Sequence, residues 1–238
     1  SGLGVSPGVP SPESGLGVPP GVSQPLTFVP FCPYDDISVY HRNLPHWEQT
    51  GRTYFVTFRL ADALPADRLN AWRAERDRWL AAHPEPWSDH DISTYAELFP
   101  ERLQAWLDAG SGECCLRCPE VSALVEDALH HFDGSRYVLD AYAVMPNHVH
   151  VLMKPLNPCG LPRILHSWKS FSAHRANLML GRQGAFWQDE SFDHVVRSAQ
   201  QLAFYRKYIE ENPSKAQLLD GESRCGRGLG LVGATTQG

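Results

Sequence analysis

MPNHVHVLMK, Met145 to Lys154, is the stretch that decides how the rest of the chain is read. Side chains of an extended strand alternate, so His148 and His150 share one face while Val149, Val151 and Met153 point to the other. The apolar face must be buried. Met145, Pro146 and Asn147 then form a hairpin turn leading back to a second apolar run, Tyr137 to Val144. Two neighbouring imidazoles on a rigid strand can hold one divalent cation side by side. The pattern alone leaves a plainer reading open, two polar residues on a solvated strand face.

Downstream, SAQQLAFYRKYIEENP, Ser198 to Pro213, favours the metal pair. Leu202, Tyr205 and Ile209 recur at helical spacing and predict a buried stripe, with Arg206, Lys207 and Glu210 on the other side and Tyr208 at the rim. At about 100° per residue, Asn212 projects roughly 40° from Tyr208, one turn further on. The helix thus offers a phenol and an amide oxygen together. Two imidazoles and one amide oxygen leave open positions on a hard cation such as Mg²⁺ or Mn²⁺, which also takes phosphate oxygens. A phenol of pKa about 10 is a poor nucleophile at neutral pH and needs such help. Asn212 precedes Pro213, which disfavours helical geometry before it and places Asn212 at the last turn or just beyond. A helix-ending Asn without a metal role is the plainer alternative.

Around these motifs the periodicity predicts a strand at Thr53–Leu60, helices at Pro65–Ala82, Thr94–Leu107 and Pro119–Phe132, and the hairpin Tyr137–Val144 with His148–Lys154. A helix at Leu161–Leu180, a short strand or loop at Ala185–His194 and the tyrosine helix at Ser198–Glu211 follow. This order predicts an α+β fold, a ferredoxin-like split βαβ sandwich, with residues 83–112 as an insertion. SGLGVSPGV at Ser1–Val9 recurs as SGLGVPPGV at Ser14–Val22, so residues 1–30 read as a disordered Gly/Pro-rich tail and residues 221–238 as a flexible one.

The sequence resembles the single-tyrosine HUH transposases, most closely their REP-associated branch. Three ordered blocks carry the resemblance: MPNHVHVLMKP at Met145–Pro155, GAFWQDESFDHVVR at Gly184–Arg197 and YIEENPSKAQL at Tyr208–Leu218. RTYFVTFRL at Arg52–Leu60 looks like the family's first strand, which extends the likeness to roughly residues 45–220. The resemblance implies the same ferredoxin-like fold. It also implies a metal bound by His148 and His150 and completed by Asn212, and a nucleophile at Tyr208. The implied reaction is cleavage of single-stranded DNA at hairpin-flanked sites through a 5′-phosphotyrosine. Tyr205, one turn earlier, falls outside the matching block and reads as core or a stacking partner.

The whole chain has 21 Lys and Arg against 27 Asp and Glu, an unexpected balance for a DNA-holding protein. Residues 141–220, which carry the motifs, reverse it with nine basic against six acidic residues. Lys169, Arg175, Arg197 and Lys215 are candidate phosphate contacts, and Trp187 is a candidate stacking surface for an unpaired base. Each has a bland alternative as a solvated cation or a core ring. Cys115 and Cys118 form a C-x-x-C with no second pair at zinc-site spacing, so the six cysteines read as reduced thiols. Ser1 to Pro30 has no basic start followed by an apolar core, and no run spans a membrane, so a cytoplasmic protein is expected. The expected partner is single-stranded DNA with a hairpin, bound by a monomer or homodimer, with no membrane partner. Two alternatives stand beside a strand-transfer enzyme: a catalytically silent hairpin binder of the same fold, and an unrelated His-x-His metal hydrolase.

Overall fold

The apolar alternation of the central hairpin is realised as strands β5 (Tyr137–Val144) and β6 (His148–Pro155), paired antiparallel around the turn. The computed structural model describes residues 26–32, 34, 38–41, 45–49, 51–84 and 88–232. The repeat at Ser1–Val22 lies outside them. Before the hairpin come β1 (Leu26–Thr27), β2 (Ser38–His41), β3 (Pro45–Glu48) and β4 (Tyr54–Arg59). Helices α1 (Ala66–Ala82), α2 (Asp89–Ala96), α3 (Arg102–Asp108) and α4 (Pro119–His130) follow β4. After the hairpin come α5 (Leu161–Met179), β7 (Phe192–Val195), α6 (Ala199–Lys215), β8 (Arg224–Arg227) and β9 (Leu231–Val232).

Five strands form one antiparallel sheet in the order β7-β4-β6-β5-β8. The first four positions, with α4 and α5 as the connecting helices, are the split βαβ arrangement, and β8 extends it by an edge strand. Val149, Val151 and Met153 pack with α4 and α5 through Val125, Leu129, Ile164 and Trp168. The opposite face carries Phe55, Ala141, Ala143 and Leu152 and is covered by α6 through Leu202 and Ile209. The two histidines therefore lie in a second, smaller core under the tyrosine helix and are fully buried, which removes the solvated-face reading.

Three features differ from expectation. Residues 224–227 and 231–232, read from sequence as tail, are strands paired with β5 and β1. Arg206, expected on the outer side of α6, instead donates two hydrogen bonds of 2.6 and 2.7 Å to Asp140 and a third to the Leu231 carbonyl. Asp140 stands at the bulge between Leu139 and Ala141, fully buried, and also accepts the Leu231 amide at 2.7 Å. A buried carboxylate demands such partners. The third difference is that α6 runs through Pro213 to Lys215. Proline leaves the carbonyl four residues back without its helical donor. That carbonyl, Ile209 O, faces the Cys225 thiol of β8 at 3.6 Å, so the edge strand compensates the break.

Candidate active site

Strand register sets the two imidazoles. Thr57 pairs with His150 and Arg59 with His148 across β4 and β6, so Phe55, Thr57 and Arg59 share the histidine face. Thr57 Oγ1 lies 2.8 Å from His150 Nδ1. Asn147 donates its Nδ2 to the Ser111 carbonyl at 2.9 Å, which turns its Oδ1 towards His148 Nδ1 at 2.7 Å. An amide oxygen only accepts, so His148 Nδ1 carries the proton and its Nε2 holds a lone pair. Partners on the far ring nitrogen are what orient metal-binding imidazoles.

The two Nε2 atoms face each other at 3.0 Å. Ligand atoms about 2 Å from a common cation and at right angles to one another are spaced by roughly that much. Asp108, at the end of α3, places Oδ1 3.5 Å from His148 Nε2, and the donor atoms of all three side chains lie within 4.8 Å of one another. The donor set suits a divalent cation. A cavity of about 110 Å³, lined by Asp108, His148, Arg117 and Ala216 among others, opens beside it.

The tyrosine helix closes the other side. Ser198 Oγ accepts the Gln201 amide at 3.1 Å and caps its start. From there Tyr208 lies edge-on to His150, ring centroids 5.3 Å apart, and to Phe55 at 5.9 Å. Its hydroxyl is buried without a hydrogen-bond partner, as are both polar atoms of the Asn212 side chain, which is 1% exposed. Buried polar groups left unpaired are costly, and the ring that carries one of these atoms lies against His150 of the donor set. Tyr205 instead lies flat on Phe55, 4.3 Å between centroids at 9°, as the stacking reading expected.

Burial dominates the electrostatics. It drives His148 down to about 3, assisted by the Arg59 guanidinium, and His150 well below the usual imidazole value, assisted by His148. Both rings are neutral and able to bind metal at pH 7. Burial, and then the Asp108 carboxylate, push the Tyr208 phenol above its ordinary value, while Asn212 one turn away acts in the opposite sense. Arg59, itself buried, is held down to about 10 by burial and by Arg73, and donates Nε to Gln188 at 2.6 Å.

A stability prediction follows from the buried imidazoles. His194 is also lowered, to about 4, by burial and then by Arg197, against a hydrogen bond from Gln201. The unfolded chain binds protons at these three histidines below about 6.5 and the folded chain does not, so stability falls as pH drops from 6.5 towards 4. The slope is about 1.4 kcal/mol per pH unit per histidine. Urea melts of metal-free protein at pH 7.5, 6.5 and 5.5 should show little change over the first step and a clear loss over the second. His194→Gln should remove about one third of that loss, and an equal loss in the variant would contradict it.

The other sequence-predicted residues divide by face. Arg197 and Lys215 flank the tyrosine helix: Arg197 is exposed beside Tyr205, and Lys215 Nζ lies 5.8 Å from the Tyr208 ring while pairing with Glu211 at 3.1 Å. Lys169 and Arg175 belong to α5 on the opposite face, where Lys169 donates to the Asp189 carbonyl at 2.8 Å. Trp187 is 5% exposed, edge-on to Phe58 and hydrogen-bonded to Ser172, so its ring serves the core and not a base. Asp108 escaped the sequence reading because it sits at the end of α3, 40 positions before His148, where no spacing links them.

Residues 121–212, from α4 to Asn212, match the family model described as transposase IS200-like. The match covers less than half of the 238-residue chain. The matched segment includes both imidazoles and Tyr208 and excludes Asp108. No curated protein matches the chain. A solved REP-associated tyrosine transposase bound to a REP hairpin is 15% identical over 76% of each chain, with a TM-score of 0.38. A crystal structure described as that of a transposase from Deinococcus radiodurans R1 is 16% identical over 69% of this chain and 93% of its own, with a TM-score of 0.32. No described helix is long and apolar enough to cross a membrane.

Proposed function

We propose that this protein is a transposase that cuts and rejoins single-stranded DNA at hairpin-flanked sites through a 5′-phosphotyrosine on Tyr208. One observation carries the reading: the partnerless, buried Tyr208 hydroxyl belongs to a ring that lies against His150 of the donor set. The Tyr208 oxygen attacks phosphorus, the bond from phosphorus to the 3′ oxygen breaks, and the phenolic proton ends on that oxygen as a free 3′-hydroxyl. The phosphodiester energy stays in the phosphotyrosine, so a second strand's 3′-hydroxyl can displace the phenol without ATP. His148, His150, Asp108 and Asn212 would hold a divalent cation, Mg²⁺ or Mn²⁺, and such an ion would supply Lewis-acid polarisation of the phosphate. Arg197 and Lys215 hold strand phosphates beside the tyrosine, and Lys169 and Arg175 serve a hairpin stem that passes around the sheet edge.

The tyrosine works in cis in this reading. Arg206 ties α6 to Asp140 of the same chain's sheet, and Tyr208 already meets His150 of its own subunit. The test is a labelled hairpin oligonucleotide with a single-stranded flank, incubated with Mn²⁺ or Mg²⁺ and run on a denaturing gel. Wild-type protein should give a band shifted by the mass of the chain. Equal mixtures of His148→Ala and Tyr208→Phe proteins should give none, because each active centre lacks one half. Wild-type protein that never attaches to DNA would refute the phosphotyrosine, and an adduct restored in the mixture would refute the cis arrangement.

A further inference from the structure

The exposed large apolar side chains of α6 reduce to one ring. Phe204 is 62% exposed, although it sits one turn before the nucleophile. It joins neither core cluster, whereas its neighbours Tyr205 and Tyr208 both pack against the one beneath α6. Its ring lies nearly parallel to that of Tyr208, centroids 6.3 Å apart at 23°, and edge-on to Tyr205 at 5.4 Å. The ring's outer face is left to solvent, an apolar surface open to a ligand. Cations stand on both flanks, two of them, Lys207 and Lys215, paired with Glu211. Arg197 lies exposed near Tyr205, Lys207 is 75% exposed one turn after Phe204, and Lys215 stands over the Tyr208 ring. An aromatic face between exposed cations is the combination that receives unpaired nucleotides, rings stacking on bases and cations meeting phosphates.

We infer that Phe204 is the stacking platform for an unpaired base within two nucleotides of the scissile phosphate, continuing outward the ring stack that begins at Tyr208. The inference rests on the reading of Tyr208 as the nucleophile and adds what orients the strand there. Phe204 touches no reacting atom, so it is a positioning residue. It holds the base and thereby sets which phosphodiester lies over the phenol.

The probe is the same hairpin oligonucleotide, intact or with one abasic position at a time along the single-stranded flank. Binding is read by fluorescence anisotropy in the Tyr208→Phe background, which separates stacking from chemistry. One abasic position should weaken binding about tenfold to a hundredfold, the range expected for a lost base–aromatic stack. Adding Phe204→Ala should cause the same loss on intact DNA, and the abasic position should then cost nothing more. Phe204→Trp should restore binding and Phe204→Leu should not, because an apolar side chain without a π face cannot stack. With Tyr208 present, Phe204→Ala should raise the DNA concentration for half-maximal adduct formation and leave the saturated rate within about threefold. Its urea midpoint should match wild type, since the ring supports no core. Independent losses from the two changes would overturn the inference, as would unchanged binding in Phe204→Ala. A dimer that dissociates when Phe204 is replaced would also overturn it, by giving the ring to a second copy. Normal coupling in binding with no adduct from the Tyr208 protein would instead sink the nucleophile and leave the platform standing.

Discussion

Tyr208→Phe should yield no covalent protein–DNA band under conditions where wild type and Tyr205→Phe both yield one. The two tyrosines are one turn apart on the same helix, and their surroundings differ. Tyr205 lies flat against Phe55, with burial pushing its phenol up to about 12 against the pull of Arg197. Tyr208 stands edge-on to His150 and keeps a partnerless hydroxyl at the donor set. Its phenol is raised above an ordinary value near 10, so far less than about one molecule in a thousand is ionised at pH 7 without help. Reactivity therefore has to come from charge brought beside it, and a phenol elsewhere on the helix gains nothing from that charge. Removing the oxygen also removes a buried, unsatisfied polar atom. Tyr208→Phe should then be as stable as wild type or more stable by up to about 1 kcal/mol. A normal melt with no adduct would assign the loss to chemistry and not to unfolding. A surviving adduct in Tyr208→Phe would move the nucleophile elsewhere.

The parts of the fold legible in the sequence are those whose burial is strictly periodic. The hairpin at Tyr137–Val144 and His148–Pro155 is buried on both faces and reads as two apolar runs around a turn. The tyrosine helix was legible through Leu202 and Ile209, but its end was not. A proline at 213 signals a stop, and only the Cys225 thiol arriving from β8 shows why the helix continues. Arg206 illustrates the same limit from the other side. Its helical position marks it as solvent-facing, and the partner that turns it inward is a buried aspartate at a bulge 66 residues away. Trp187 was ambiguous for want of a periodic context, and the packing of Phe58 and Ser172 resolved it as core. The site repeats the pattern. His148, His150, Tyr208 and Asn212 lie on two elements whose faces can be computed from spacing, whereas Asp108 reaches the two imidazoles from α3, whose docking no local rule encodes.

His148→Ala or His150→Ala should each abolish cleavage while leaving hairpin binding within a few fold. Loss of partners that merely orient metal-bound imidazoles costs about 10- to 100-fold, so loss of an imidazole itself should exceed that range. Binding should survive because phosphate contacts elsewhere position the strand. Asp108 sorts differently. It supplies negative charge to the donor set, and without a cation that charge raises the Tyr208 phenol. Asp108→Asn should therefore weaken Mn²⁺ binding by calorimetry about tenfold or more, and cleavage should return as Mn²⁺ is raised, because both imidazoles still hold the ion. His148→Ala should show no such recovery at any Mn²⁺ concentration. If Asp108→Asn binds Mn²⁺ as wild type does, the carboxylate is a bystander and Asn212, whose buried amide lacks a partner, completes the set alone. If His148→Ala and His150→Ala both keep the adduct, the imidazoles hold no catalytic cation. The 3.0 Å approach of their Nε2 atoms would then be a shared proton in a structural core.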